Sequence, residues 1–68
     1  MYSKKEIKLI IAACNSFLEI AHVCSVFVDL YPIDLDVSNE DLYRNVKLQK
    51  YVRNKSLTRI KQIRHENL

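Results

Sequence analysis

The stretch "SKKEIKLIIAACNSFLEIAHVCSVFVDLYP", residues 3–32, decides the fold. It opens with Ser3 and Glu6 at the spacing of a capping box, in which the serine hydroxyl accepts from a first-turn N–H and the glutamate reaches back to the serine N–H. Tyr2 and Ile7 flank the box as a hydrophobic staple. The stretch closes at Pro32, the only proline, which has no N–H to donate and pushes Tyr31 out of the helical region. No glycine or proline interrupts the interval, so the spacing predicts one helix over 4–31, about 40 Å long at 1.5 Å per residue.

At about 100° per residue, Ile7, Ile10, Ala13, Cys14, Phe17, Leu18, Ala21, Cys24, Phe27, Val28 and Tyr31 share one broad apolar arc, and Leu9, Ile11 and Ile20 widen it. Lys8, Asn15, Glu19, His22 and Asp29 keep to a narrower polar strip. An arc of about 180° exceeds the stripe of roughly 100° that a single partner helix covers. A second cover is therefore required. The bilayer is not that cover, because Asn15, Ser16, Glu19, His22, Ser25 and Asp29 are spread through the roughly 20 residues that a span would need.

The following stretch, "PIDLDVSNEDLYRN", repeats the entry device with Ser38 as N-cap, Asp41 as box partner, and Val37 and Leu42 as staple. Glu40 and Asp41 also suit the positive end of a helix dipole. The connector 32–38 is short enough to return a second helix antiparallel to the first. Leu42, Val46, Val52, Leu57, Ile60 and Ile63 stay within about 140°, which predicts one unbroken helix over 39–65. The competing reading breaks the chain at Asn54 to Ser56, with Ser56 capping a short third helix.

The 68 residues contain no glycine, which removes phosphate-cradling loops, nucleophile elbows and tight hairpin turns from consideration. The expected fold is all-α: a single domain over 1–68, built as a two-helix antiparallel hairpin that dimerises into a four-helix bundle. A chain below roughly 70–80 residues rarely closes a sufficient core alone, and the surplus arc supplies the means of association. Its candidate self-association residues are Ile10, Cys14, Phe17, Ala21, Cys24, Phe27 and Val28. A different protein seated on the same arc is the alternative.

Cys14 and Cys24 lie about 15 Å apart if they share a helix, beyond the roughly 7 Å that a disulfide spans. They read as small buried hydrophobes in a reducing, cytosolic setting. "MYSKKE" leads straight into a helix with no small-residue cleavage site, so no signal peptide is expected. His22 and Cys24 point about 160° apart on a helix, and His22 and Asp29 lie two turns apart, so neither pair ligates a metal. Asp34 and Asp36 offer too few oxygens for calcium. The expectation is a non-enzyme without cofactor or metal.

The net charge of +3 conceals a strong segregation. From 29 to 41 every charged side chain is acidic: Asp29, Asp34, Asp36, Glu40 and Asp41. From 44 to 64 every one is basic: Arg44, Lys47, Lys50, Arg53, Lys55, Arg59, Lys61 and Arg64. A helix with no internal anion gains nothing from i,i+4 ion pairs, so its balance is sought outside it. The candidate partner-binding residues are Arg44, Lys47, Lys50, Tyr51, Lys61 and Arg64. Aromatic interleaving is thin, with Tyr43 and Tyr51 alone, and the helix-turn-helix spacing with its turn glycine is missing. The functional expectation is a small helical interaction protein that regulates or inhibits a larger protein with an acidic surface, as small phage-encoded proteins do by analogy. Nucleic-acid phosphates are the alternative target of the basic helix.

Overall fold

The computed structural model describes residues 2–66, which form three helices: α1 (Lys4–Ala12), α2 (Phe17–Leu30) and α3 (Asn39–Glu66). The fold is all-α, with no strand among the described residues. The segment 4–31 is two helices, not one, so three helices replace the expected two-helix hairpin. The cause lies in "SFLE", residues 16–19. The Ser16 hydroxyl accepts from the Glu19 N–H at 3.1 Å, and the Glu19 carboxylate accepts from the Asn15 N–H at 2.6 Å. Ser16 is extended at φ −146°, ψ 161°, while Ala13 still has helical angles and bonds back to Leu9 O at 3.1 Å.

The same serine–glutamate code starts α1. Ser3 Oγ accepts from the Glu6 N–H, and Glu6 Oε1 from the Ser3 N–H, each at 3.1 Å. That second bond holds the Glu6 carboxyl below its ordinary pKa. At the third entry the Asp41 N–H donates to Ser38 Oγ at 3.2 Å, and α3 then runs unbroken for about 42 Å. Ser56 caps nothing: it is buried in the middle of α3 with its Oγ 3.1 Å from Cys24 Sγ.

Breaking the first segment lets its two halves fold back on each other and lie together on α3. The Tyr2 N–H donates to the Tyr31 hydroxyl at 3.1 Å, and the Tyr2 ring stands edge-on to Phe27 with centroids 5.6 Å apart. The start of α1 therefore sits beside the end of α2, and the two are antiparallel. Ile7, Ile11, Phe27, Tyr31, Leu48 and Val52 form the main core; Cys14, Ile20 and Ile63 form a second cluster under the α1–α2 joint. Much of the arc that a straight rod would have left uncovered is buried inside the chain.

Each inner helix end is sealed by a side chain of α3. A helix leaves its last carbonyls without intrahelical donors. Gln49 Nε2 donates to Phe27 O at 2.8 Å and to Tyr31 O at 3.0 Å, Asn45 Nδ2 to Pro32 O at 2.8 Å, and Arg59 Nε to Cys14 O at 2.8 Å. The connector turns on Asp34, whose Oδ1 accepts from the Asp36 N–H at 3.2 Å, an Asx turn. The result is elongated, 45 × 19 × 15 Å. Among the described residues, no helix is long and apolar enough to cross a membrane.

Candidate interaction faces

Two faces of this bundle carry chemistry, and they lie on opposite flanks of α3. On the α1 flank, Tyr43, Lys47, Tyr51, Lys55 and Arg59 follow one another at i,i+4, the spacing at which helix side chains become neighbours. Lys47 Nζ lies 4.4 Å from the Tyr43 ring centroid, and Lys55 Nζ 5.4 Å from that of Tyr51. Lys4 of α1 reaches the same Tyr51 ring at 5.5 Å. Ammonium groups at these distances are held by the ring quadrupoles. Next to this row, Lys8 of α1 and Lys55 and Arg59 of α3 line a small cleft with Thr58 and Gln62, and no carboxylate lines it.

The expected partner-binding set is thus divided. Lys47 and Tyr51 belong to the row. Arg44 is paired with Asp41 at 3.1 Å, and Lys50, Lys61 and Arg64 are exposed. At about 100° per residue Lys50 and Arg64 fall on the flank away from Lys55. Lys4, Lys8 and Lys55 were not among the expected residues. Lys55 is legible from its spacing to Tyr51; Lys4 and Lys8 join the face only because α1 lies against α3. Arg59 is occupied as a structural donor, with its remaining nitrogens 3.3 Å from Gln62 Oε1, 3.5 Å from Asn15 Oδ1 and 3.6 Å from Glu66 Oε1.

On the other flank, α2 and α3 enclose a largely apolar cleft of about 370 Å³ lined by Phe17, Ala21, Cys24 and Val28 from α2 and by Leu57 and Ile60 from α3, with Gln49, Arg53 and Ser56 also on its α3 wall. Four of the seven expected self-association residues are here. Ile10 lies on the other side of α2, in a broader cleft with Leu18 and His22. Cys14 and Phe27 are only 5 % and 2 % exposed, spent on the chain's own core, because the break at Ala13 to Ser16 turns them inward. Both cysteines are free. The Cys14 thiol reaches Ile10 O at 3.5 Å, and burial, reinforced by Glu19, raises its pKa.

Comparison with protein-family models, curated proteins and solved structures yields no match. The faces are read from their chemistry. Among the described residues, no group of three or more His, Cys, Asp or Glu side chains is arranged to hold a metal ion.

Proposed function

We propose that the chain is a small non-enzymatic interaction protein that regulates a larger protein by docking its α1/α3 face on an acidic surface of that protein. The observation that carries this reading is the Tyr43–Lys47–Tyr51–Lys55 row joined by Lys4, beside a cleft without carboxylates. Lysines already held over tyrosine rings lose less freedom on binding than free ones do, and so retain more of the Coulomb gain.

An acidic protein suits the face better than a polyphosphate. Asp34, Asp36 and Glu40 stand exposed where α3 begins, so a continuous polyanion lying along the helix meets like charge, whereas a discrete acidic patch does not. The arginines nearest the row are engaged elsewhere, Arg44 with Asp41 and Arg59 with Cys14 O. What remains are lysines, point charges without the planar fork that grips phosphate. The alternation of tyrosine and lysine favours a second reading, single-stranded nucleic acid stacked on the rings.

The test titrates a fluorescent Glu/Asp-rich peptide and a single-stranded oligonucleotide against the chain and against its Lys8→Glu/Lys47→Glu variant, both positions being exposed. Docking on acidic protein predicts peptide binding that the variant loses. Preferential oligonucleotide binding, with log affinity falling by about 0.7 per phosphate neutralised against log salt, establishes the second reading instead. Binding to neither probe overturns both.

A further inference from the structure

Part of the α1/α3 face is concave. Lys8 of α1 and Lys55, Thr58, Arg59 and Gln62 of α3 ring a hollow of about 100 Å³ floored by Ile11 and Ala12. Three of its five polar side chains are cations, and no carboxylate lines it. Lys55 and Arg59 repel each other at i,i+4, and the packing of α1 brings Lys8 beside them. An anion seated among the three relieves that repulsion.

Arg59 is prepared for one. Its Nε is fixed on Cys14 O at 2.8 Å, which holds the guanidinium in place without spending the outer nitrogens. Those make longer contacts: Nη1 with Gln62 Oε1 at 3.3 Å and Glu66 Oε1 at 3.6 Å, and Nη2 with Asn15 Oδ1 at 3.5 Å. The Glu66 carboxylate is largely exposed and lies outside the lining of the hollow, so a more highly charged oxyanion at the same guanidinium displaces it at little cost. A donor already oriented also loses little freedom on binding.

Size and charge select the anion. About 100 Å³ is small against the roughly 300–1,000 Å³ of ligand pockets, so the hollow takes one functional group and not a whole small molecule. A carboxylate brings a single charge to three cations, whereas a phosphoryl group on serine or threonine brings about −1.5 to −2 and three acceptor oxygens. Lysine holds such a group as a point charge. A lone dianion also need not run along α3 past Asp34, Asp36 and Glu40 as a polyphosphate does. Lys47, with Lys4 on the same row, lies toward the start of α3 from Lys55 by about 12 Å at 1.5 Å per residue, or roughly four residues of extended chain at 3.3 Å each.

We infer that the hollow receives a phosphorylated serine or threonine of the acidic partner, with an acidic residue about four positions away lying against Lys47. The inference rests on the docking reading above and adds a condition to it: the partner is bound in its phosphorylated state.

Fluorescence anisotropy with the full chain tests it on an acidic peptide carrying one phosphoserine with glutamate four positions to either side, on the same peptide with unmodified serine, and with inorganic phosphate as competitor. The phosphopeptide binds at least about tenfold more tightly than the serine peptide, the effect of one or two charge-assisted hydrogen bonds. Lys8→Gln and Lys55→Gln lower that ratio toward one, whereas Lys47→Gln weakens both peptides by a similar factor and keeps it; circular dichroism checks that each variant is folded. Arg59 is left intact because it also holds the α1–α2 joint. Equal affinity for the two peptides, or a ratio indifferent to both Lys8→Gln and Lys55→Gln, overturns the inference and leaves docking on an acidic surface standing. Binding of neither peptide overturns both. Inorganic phosphate that competes as well as the phosphopeptide reveals a free-anion site and overturns the partner's residue as the occupant.

Discussion

Replacing Arg59 by methionine keeps most of the aliphatic stem and deletes the guanidinium that seals α1. Arg59 Nε donates to Cys14 O at 2.8 Å from a side chain only 15 % exposed. A hydrogen bond from a charged donor contributes about 1.5–3 kcal/mol, much of it the cost of leaving the buried carbonyl without a donor. The Glu66 pair, 3.6 Å long with its carboxylate largely exposed, adds no more than about 1 kcal/mol. The expected loss is about 2–3 kcal/mol, and at 4–8 °C per kcal/mol for so small a domain the melting temperature falls by roughly 10–20 °C. Urea denaturation followed by circular dichroism measures this, at one fixed chain concentration because association would itself shift the midpoint. Arg53→Met, at an exposed position of the same helix, is the control and stays within about 0.5 kcal/mol of wild type. A loss of less than about 0.5 kcal/mol in Arg59→Met refutes the claim that α3 holds the α1–α2 joint.

Two further outcomes follow from the same geometry. Ser16→Ala removes the α2 cap and costs about 1 kcal/mol; were 4–31 one continuous helix, the better helix former would stabilise it instead, so the sign of the change in a denaturation midpoint separates the two. Alkylation of the native protein modifies the half-buried Cys24 before the buried Cys14, as peptide mapping shows directly. Because the folded Cys14 pKa is raised, the unfolded chain ionises first and native stability declines as pH rises above the ordinary thiol range; Cys14→Ala flattens that alkaline decline.

The local signals were legible where a cap and its helix are neighbours in sequence. Ser3 with Glu6, Ser38 with Asp41, the stop before Pro32 and the continuity of α3 through Asn54 to Ser56 all follow from short spacings. The break at Ala13 to Ser16 carried the same serine–glutamate code, but the apolar arc runs across it without proline or glycine and so reads as continuous. What completes it is distant: Arg59 donates to Cys14 O from 45 residues away, and no periodicity reveals such a bond. The basic face divides in the same way. Lys47, Tyr51 and Lys55 are i,i+4 neighbours on one helix, while Lys4 meets Tyr51 only through tertiary packing.

The sealing of both inner helices by Asn45, Gln49 and Arg59 has a consequence for how the chain comes into being. During synthesis the first 38 residues emerge before any of these donors exists, so Cys14 O and Tyr31 O are left to water until α3 follows. Folding must wait for the last helix, and α1 and α2 then lock in a single cooperative step. A proteolytic cut inside α3 should accordingly release no stable fragment, only an open chain.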